Sequence, residues 1–133
     1  MASTPSFAAT PKLGSGLVHA TFDTSLTAPT NVTTIVTGAA SGTKIEELIF
    51  QGVGTTVASV VNVFVYDSGA TTYHLIDQVL VSAVTSSTTA LAFRSRKQYQ
   101  NLLLPSTSYS VRVTNTVAGN QSMIKVTAFG ADF

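Results

Sequence analysis

The chain has 133 residues, a formal net charge of +1 and no cysteine, and only 10% of its residues are charged. A chain of this length forms one domain with a core of its own, and the lack of thiols excludes disulfides and thiolate metal sites. The near-neutral charge gives no electrostatic footprint for nucleic acid, and no apolar run reaches the roughly 18 residues of a membrane helix. We therefore expect no nucleic-acid partner and no membrane partner.

The first sixteen residues differ from the rest of the chain. Residues 1–16 contain Pro5, Pro11 and two glycines, and they show no hydrophobic periodicity. This composition predicts an extended N-terminal arm outside the folded domain. The arm is either a passive tail or a segment that becomes ordered against a neighbouring subunit, with Phe7 and Leu13 as anchors. It also lacks the charged and apolar regions of a secretory signal peptide.

Residues 17–133 are predicted to form an all-β domain. Clusters of Ser, Thr, Gly and Pro separate short apolar runs at regular intervals, which is typical of a sandwich or barrel and not of a parallel sheet. The only segment with helical character is Arg96–Asn101, which is short. The eight predicted strands are Leu17–Phe22, Asn31–Thr37, Lys44–Gly52, Val57–Tyr66, Thr72–Val84, Thr88–Arg96, Ser108–Thr116 and Ser122–Phe129.

Alternation within these strands predicts which side chains are buried. Tyr109, Val111 and Val113 share one side of their strand, and the polar residues between them are expected to face solvent. The strand at 57–66 is apolar on both faces, which predicts a central position in its sheet. The predicted core positions are Val61, Val63, Val65, Leu75, Val111, Val113, Ile124 and Val126.

The sequence contains no recognisable set of catalytic or metal-binding residues. His19 and His74 lie in separate predicted strands, whereas a zinc site requires three or four ligands. Glu46 and Glu47 are adjacent in a strand, so they point to opposite faces and cannot share one site. The glycine-rich segments lack the Lys-Ser/Thr ending and the helix of a phosphate loop. We therefore predict a non-enzyme that uses no metal and no cofactor.

A basic cluster is formed by Arg94, Arg96 and Lys97. Arg94 and Arg96 share one strand face, opposite Phe93. The cluster is either a solvated surface or a contact for an acidic patch on a partner protein. Nucleic acid is disfavoured, because three charges and one aromatic residue, Tyr99, do not make a stacking platform.

Two aromatic residues, Phe129 and Phe133, lie close together at the end of the sequence, with Gly130 between them. Large aromatic side chains are costly to leave in water, and Gly130 allows the backbone to bend. The two rings are therefore expected either to form part of an interface or to cap the core of their own domain.

Three stretches between Lys44 and Phe133 resemble small virion proteins of tailed phages, namely the cement or decoration proteins on the outside of the head. The stretches are VNVFVYDSGATTYHLIDQVLVSAV, LLLPSTSYSVRVTNT and the closing IKVTAFGADF. The resemblance implies a jelly-roll-like antiparallel β-sandwich of about eight strands. It also implies a protein that is made in the host cytoplasm, binds the major capsid protein on the virion exterior and cements neighbouring capsid subunits.

The low surface charge further predicts self-association, because few like charges keep copies apart. A homodimer is the favoured assembly, to which the resemblance also leans, and a trimer is the alternative. The candidate contacts with the capsid or with a partner copy are Phe7, Leu13, Arg94, Arg96, Lys97, Phe129 and Phe133.

The alternative function is a carbohydrate-binding or adhesive β-sandwich module of a phage tail or surface assembly. Such modules often bind sugars through exposed aromatic rings. The chain has no tryptophan. Tyr66, Tyr73 and Tyr109 fall at strand positions where packing against neighbouring side chains is expected. The sequence therefore favours the decoration protein.

Overall fold

The structure is a computed structural model that describes residues 10–133, which form eight β-strands. A single turn of 3₁₀ helix, Ala118–Asn120, lies between the last two strands. The strands are β1 (Thr10–Leu17), β2 (Thr33–Thr37), β3 (Thr43–Gly52), β4 (Ser59–Asp67), β5 (Thr72–Val81), β6 (Arg94–Leu104), β7 (Tyr109–Asn115) and β8 (Ile124–Asp132).

The strands form two four-stranded sheets in which all paired neighbours are antiparallel. Sheet A has the order β1-β8-β3-β6, and sheet B has the order β2-β7-β4-β5. Two sheets of four strands with this connectivity are the jelly roll, a sandwich of two Greek keys. The predicted fold class, an antiparallel jelly-roll-like β-sandwich of about eight strands, is confirmed.

The core lies between the inward faces of the two sheets. Leu75 is the one predicted core position that is wrong, because its side chain is 38% exposed. The β4–β5 ladder shifts register between Val63 and Phe64, and this shift places Leu75 opposite Phe64 on the outer side of the sheet. Val65 is partly buried against the core. The other six predicted positions are fully buried: Val61, Val63, Val111, Val113, Ile124 and Val126.

The two central strands of sheet B, β4 and β7, are buried on both faces. Phe64 points away from the core and is nevertheless fully buried, and the ring of Tyr73 meets it edge-on with the centroids 5.6 Å apart. Ser110 and Thr114 on the same side of β7 are also buried. The expectation that this side of β7 faces solvent is therefore wrong, whereas the central position predicted for β4 is confirmed.

The second half of the predicted arm belongs to the sandwich. Residues 10–16 form most of β1, which pairs with β8 from Thr10 opposite Asp132 to Leu17 opposite Lys125. The expectation that the folded domain begins only at residue 17 is therefore corrected. Residues 1–9, which include Phe7, lie outside the described part of the chain.

Glycines in β1 explain why its sequence lacks the hydrophobic pattern that predicts a strand. Gly14 and Gly16 face β2 of the other sheet, where a Cβ on Gly14 would collide with the carbonyl oxygen of Ile35. A Cβ on Gly16 would lie 2.9 Å from Cγ2 of Thr33. Since the inward positions at Gly14 and Gly16 carry no side chain, the strand lacks the apolar alternation that marks the others, and its backbone comes close to β2.

Two further sequence expectations differ from the structure. The chain leaves sheet A after Leu17, so residues 18–22 do not continue a strand. The sixth strand begins at Arg94 instead of Thr88 and runs through Arg96–Asn101, the segment with helical character. Arg, Lys and Gln favour helices locally, but pairing with β3 overrides that weak preference.

The long connection between β1 and β2 is organised by Asp23. Its carboxylate accepts hydrogen bonds from the backbone N–H groups of Ser25 (2.9 Å), Thr30 (2.7 Å) and Asn31 (3.1 Å). Burial alone would raise the pKa of Asp23, but these hydrogen bonds favour the charged form and hold the pKa below its ordinary value. The N–H of Asp23 also donates to the carbonyl oxygen of Asn115, which ties the connection to β7.

The core assignment predicts that Val111→Asp does not fold. The side chain is fully buried, so the substitution places an unpaired carboxylate in the core at a cost of several kcal/mol, against a typical domain stability of about 5–15 kcal/mol. Val53→Asp is the matched control, because Val53 is 53% exposed and should tolerate the charge. Circular dichroism during heating checks this, and a cooperative transition of Val111→Asp near the parent temperature would contradict it.

Asp23 predicts a pH-dependent contribution to stability. A carboxylate whose pKa is lower in the folded state stabilises the protein above its unfolded pKa of about 3.9, and the contribution is lost as the pH falls through the folded pKa. Asp23→Asn should therefore lower Tm at pH 7, and the difference from the parent protein should narrow below about pH 4. An equal difference in Tm at pH 7 and pH 3 would show that the charge of Asp23 is irrelevant.

Candidate partner-binding face

The outward side of sheet A carries most of the contact residues that the sequence predicts. Residues directly opposite each other in antiparallel strands project to the same side, so the pairing registers define rows across the sheet. We call the resulting surface the sheet A face. Its three rows are Leu13–Phe129–Glu47–Gln98, Ser15–Thr127–Ile49–Arg96 and Leu17–Lys125–Gln51–Arg94.

One side of the sheet A face, along β1 and β8, is apolar. Leu13 is 65% exposed, and Leu17 and Phe129 are each 42% exposed. Leu13 and Phe129 are direct cross-strand neighbours, so the predicted anchor of the arm and the predicted C-terminal contact lie next to each other. Neighbouring exposed apolar side chains of this size are typical of a contact surface.

The other side of the sheet A face is basic. Arg94 and Arg96 project from β6, as the alternation predicts, and Arg96 Nε lies 2.5 Å from a carboxylate oxygen of Glu47. Arg94 and Lys125 share a row, and no carboxylate within residues 10–133 lies within 4 Å of either. Four of the seven basic residues of the chain lie on the outward side of sheet A: Lys44 on β3, Arg94 and Arg96 on β6, and Lys125 on β8.

Lys97 does not belong to this face. It pairs with Leu48, which is fully buried, so Lys97 lies on the side of β6 that faces the other sheet. The predicted cluster of three basic residues is therefore split. Lys125, which the sequence analysis left out, takes its place next to Arg94, and the alternation of β8 between buried Ile124 and Val126 could have identified it.

Phe133 is held by its own domain. Its N–H donates to the carbonyl oxygen of Gly42 over 3.0 Å, and its carbonyl oxygen accepts a hydrogen bond from Ser41 Oγ over 2.7 Å. Gly42 has a φ of +95°, and its missing side chain leaves room for the ring of Phe133. Phe133 is half-buried there, whereas Phe129 is exposed on the sheet A face.

A polar cleft of about 580 Å³ opens between β3 and β6 and is lined by Lys44, Glu46, Gln98, Tyr99 and Gln100. It lies where the ladder between these strands is irregular, next to the row of Glu47. The Tyr99 hydroxyl donates to Asp77 Oδ2 over 2.9 Å and so joins sheet A to sheet B. Burial and this hydrogen bond raise the pKa of Tyr99 well above its ordinary value.

Searches of the described residues for a metal site and a membrane span, and of known proteins for similar sequences, all gave no match. Within residues 10–133, His, Asp and Glu side chains form no group of three or more that could hold a metal ion. The same part of the chain contains no helix long and apolar enough to cross a bilayer. No protein-family model matches the chain, and no curated protein is detectably similar to it.

The exposure of Phe129 predicts that its side chain contributes little to folding. Phe129→Ala should lower the free energy of unfolding by about 1 kcal/mol, since the ring is 42% exposed. Phe50→Ala makes the same chemical change at a fully buried position and should cost about 3–5 kcal/mol. Urea unfolding of both variants measures the difference, and a similar loss at both positions would contradict a free surface at Phe129.

Proposed function

We propose that this protein is a structural virion protein that binds the outer surface of a phage capsid and cements neighbouring major capsid subunits. The observation that carries the proposal is the sheet A face, which brings Leu13, Phe129, Arg94 and Arg96 together from three strands. The resemblance of residues 44–133 to phage decoration proteins supplies the class of partner. The site of action is the virion exterior, after synthesis in the host cytoplasm.

The chemistry of the sheet A face fits an acidic partner surface with an apolar margin. Arg94 and Lys125 carry charges that no carboxylate of this chain neutralises within 4 Å. Uncompensated charges favour a partner of opposite sign and exclude one of like sign. The apolar side chains of β1 and β8 add buried area. Contacts of modest affinity are sufficient for stable attachment when an oligomer binds one shell through several subunits. After the first contact forms, the effective concentration for each further contact is high.

Self-association is part of the proposal, with a homodimer as the favoured assembly and a trimer as the alternative. Its support is the low charge of the surface together with exposed leucines outside the sheet A face, Leu80 at 77% and Leu91 at 92% exposure. The C-terminal segment with Phe129 offers a second contact between copies. No catalytic step is needed for this role, and we infer that the protein is not an enzyme.

A carbohydrate-binding or adhesive module is the second candidate. The polar cleft favours it, because Gln98, Gln100, Glu46 and Lys44 offer donors and acceptors that suit the hydroxyl groups of a sugar. Tyr66 and Tyr73 pack against each other, with centroids 4.3 Å apart, as the sequence predicts. Binding to glycans in the absence of any capsid would favour this candidate over the first.

Charge removal on β6 tests the proposed docking face. Arg94→Gln removes a charge from the sheet A face, and Lys97→Gln removes the same charge from the opposite side of the same strand. Arg94→Gln should weaken binding to shells of the major capsid protein from the same genome roughly fivefold, which corresponds to about 1 kcal/mol, whereas Lys97→Gln should bind nearly as the parent protein does. Co-sedimentation with the shells measures both, and equal affinities for both variants would refute this docking face.

The arm provides an independent test. Deletion of residues 2–9 leaves β1 intact, because β1 begins at Thr10, so the domain should keep its thermal unfolding temperature. If Phe7 anchors the arm on a neighbour, the deletion and Phe7→Ala should both lower the occupancy of the shells, since one buried aromatic contributes a few kcal/mol to a contact. Equal occupancy by the full-length and shortened proteins would show that the arm is a passive tail.

A further inference from the structure

The outer face of sheet B, on the opposite side of the sandwich from the sheet A face, carries a guanidinium group fixed on two tyrosines. Arg112 of β7 pairs with Phe64 of β4, and the next cross-strand pair, Tyr66 and Tyr73, stacks beside it. The Arg112 Cζ lies 4.1 Å from the ring centroid of Tyr66. Arg112 Nη1 donates to the Tyr73 hydroxyl over 3.0 Å, and Nε donates to Ser110 Oγ over 3.1 Å.

The charge of Arg112 has no counter-ion in the chain. All six acidic residues belong to the described residues 10–133, and none of them has a carboxylate oxygen within 4 Å of Arg112. Arg112 is half-buried, so its charge is only partly solvated. A guanidinium has five N–H donors, of which two are used here by Tyr73 and Ser110, so three remain for a ligand.

The contacts that fix Arg112 also prepare it for binding. A free arginine side chain loses rotamer freedom when it binds an anion, which reduces the affinity, whereas Arg112 has already lost that freedom to the tyrosine stack. Its planar fork matches the two oxygens of a carboxylate, and such charge-assisted pairs are about twice as strong as neutral hydrogen bonds. The partly apolar surroundings of the tyrosine rings strengthen the attraction further.

We propose that Arg112, positioned by Tyr66 and Tyr73, is a binding site for a carboxylate group of a ligand. The site is independent of the sheet A face and of the capsid role. When the sheet A face is docked on a shell, Arg112 lies on the far side of the sandwich and stays accessible to ligands in solution. The carboxylate comes either from an acidic sugar or from an acidic amino-acid side chain, two sources that share the same planar group.

Nuclear magnetic resonance of the arginine Nε–Hε groups tests the site in the full chain. The chain has only three arginines, Arg94, Arg96 and Arg112, so the signals can be assigned with Arg112→Lys. Arg94, which is exposed and also lacks a carboxylate, is the internal control. Sodium acetate, compared with sodium chloride at the same ionic strength, should shift the Arg112 signal with a half-saturation concentration roughly tenfold lower than that of Arg94. Equal responses of Arg94 and Arg112 would overturn the proposal.

The variant Tyr73→Phe tests whether Arg112 binds a carboxylate or only packs over Phe64. The variant keeps the ring that covers Phe64 but removes the hydroxyl that holds Arg112 Nη1. It should unfold at nearly the parent temperature while the half-saturation concentration for acetate rises severalfold at Arg112 only. An unchanged acetate titration would show that Arg112 is only a cover for Phe64. Titration with glucuronate and with N-acetylglutamate then identifies the source, because tighter binding than acetate by one of them assigns the carboxylate to a sugar or to a side chain.

Discussion

The packing of the central strands β4 and β7 is the constraint on which the rest of the structure depends. Val61, Val63, Val111 and Val113 are fully buried on their inward side, and Val63 pairs directly with Val113. These β-branched side chains fix the pairing register of β4 and β7 within sheet B, because a slip of either strand by one residue would turn its valines to the outer face. Since the chain has no cysteine and therefore no disulfide, this burial supplies most of the stability of the fold.

This register also decides which large apolar side chains lie on the outer faces of the two sheets and whether the chain itself covers them. On sheet B the second side of β4 carries Phe64, and the chain covers it with its own residues, Tyr73 and Arg112 among them. On sheet A the outward side of β1 and β8 carries Leu13 and Phe129, and both remain exposed. The chain thus covers Phe64 itself, although Leu75 and Leu80 of β5 stay exposed on the outer side of sheet B. On sheet A, Leu13 and Phe129 form an exposed apolar pair that a partner could cover.

Only 10% of the residues are charged, and their ion pairs contribute little to the stability of the fold. The three ion pairs within residues 10–133 involve partly exposed side chains, and pairs of this kind contribute about 0–1 kcal/mol each. The basic residues without an ion pair say more about binding to partners than the paired ones do. Arg94 and Lys125 lie on the sheet A face, Arg112 lies on the outer face of sheet B, and Lys97 lies on the side of β6 that faces the other sheet. Stability therefore comes from burial and hydrogen bonding, and the unpaired charges on the two outer faces remain available for recognition.

The sequence by itself determined the strands that alternate in hydrophobicity, the burial of residues such as Val111 and Ile124, and the common face of Arg94 and Arg96. Alternation is a local property with a period of two, so it can be read from neighbouring residues. Only the tertiary structure decided that the glycine-lined β1 is a strand, that a register shift exposes Leu75, and that Leu13 lies beside Phe129. These features depend on which distant strands pair and on how closely their backbones approach, and no local pattern encodes either.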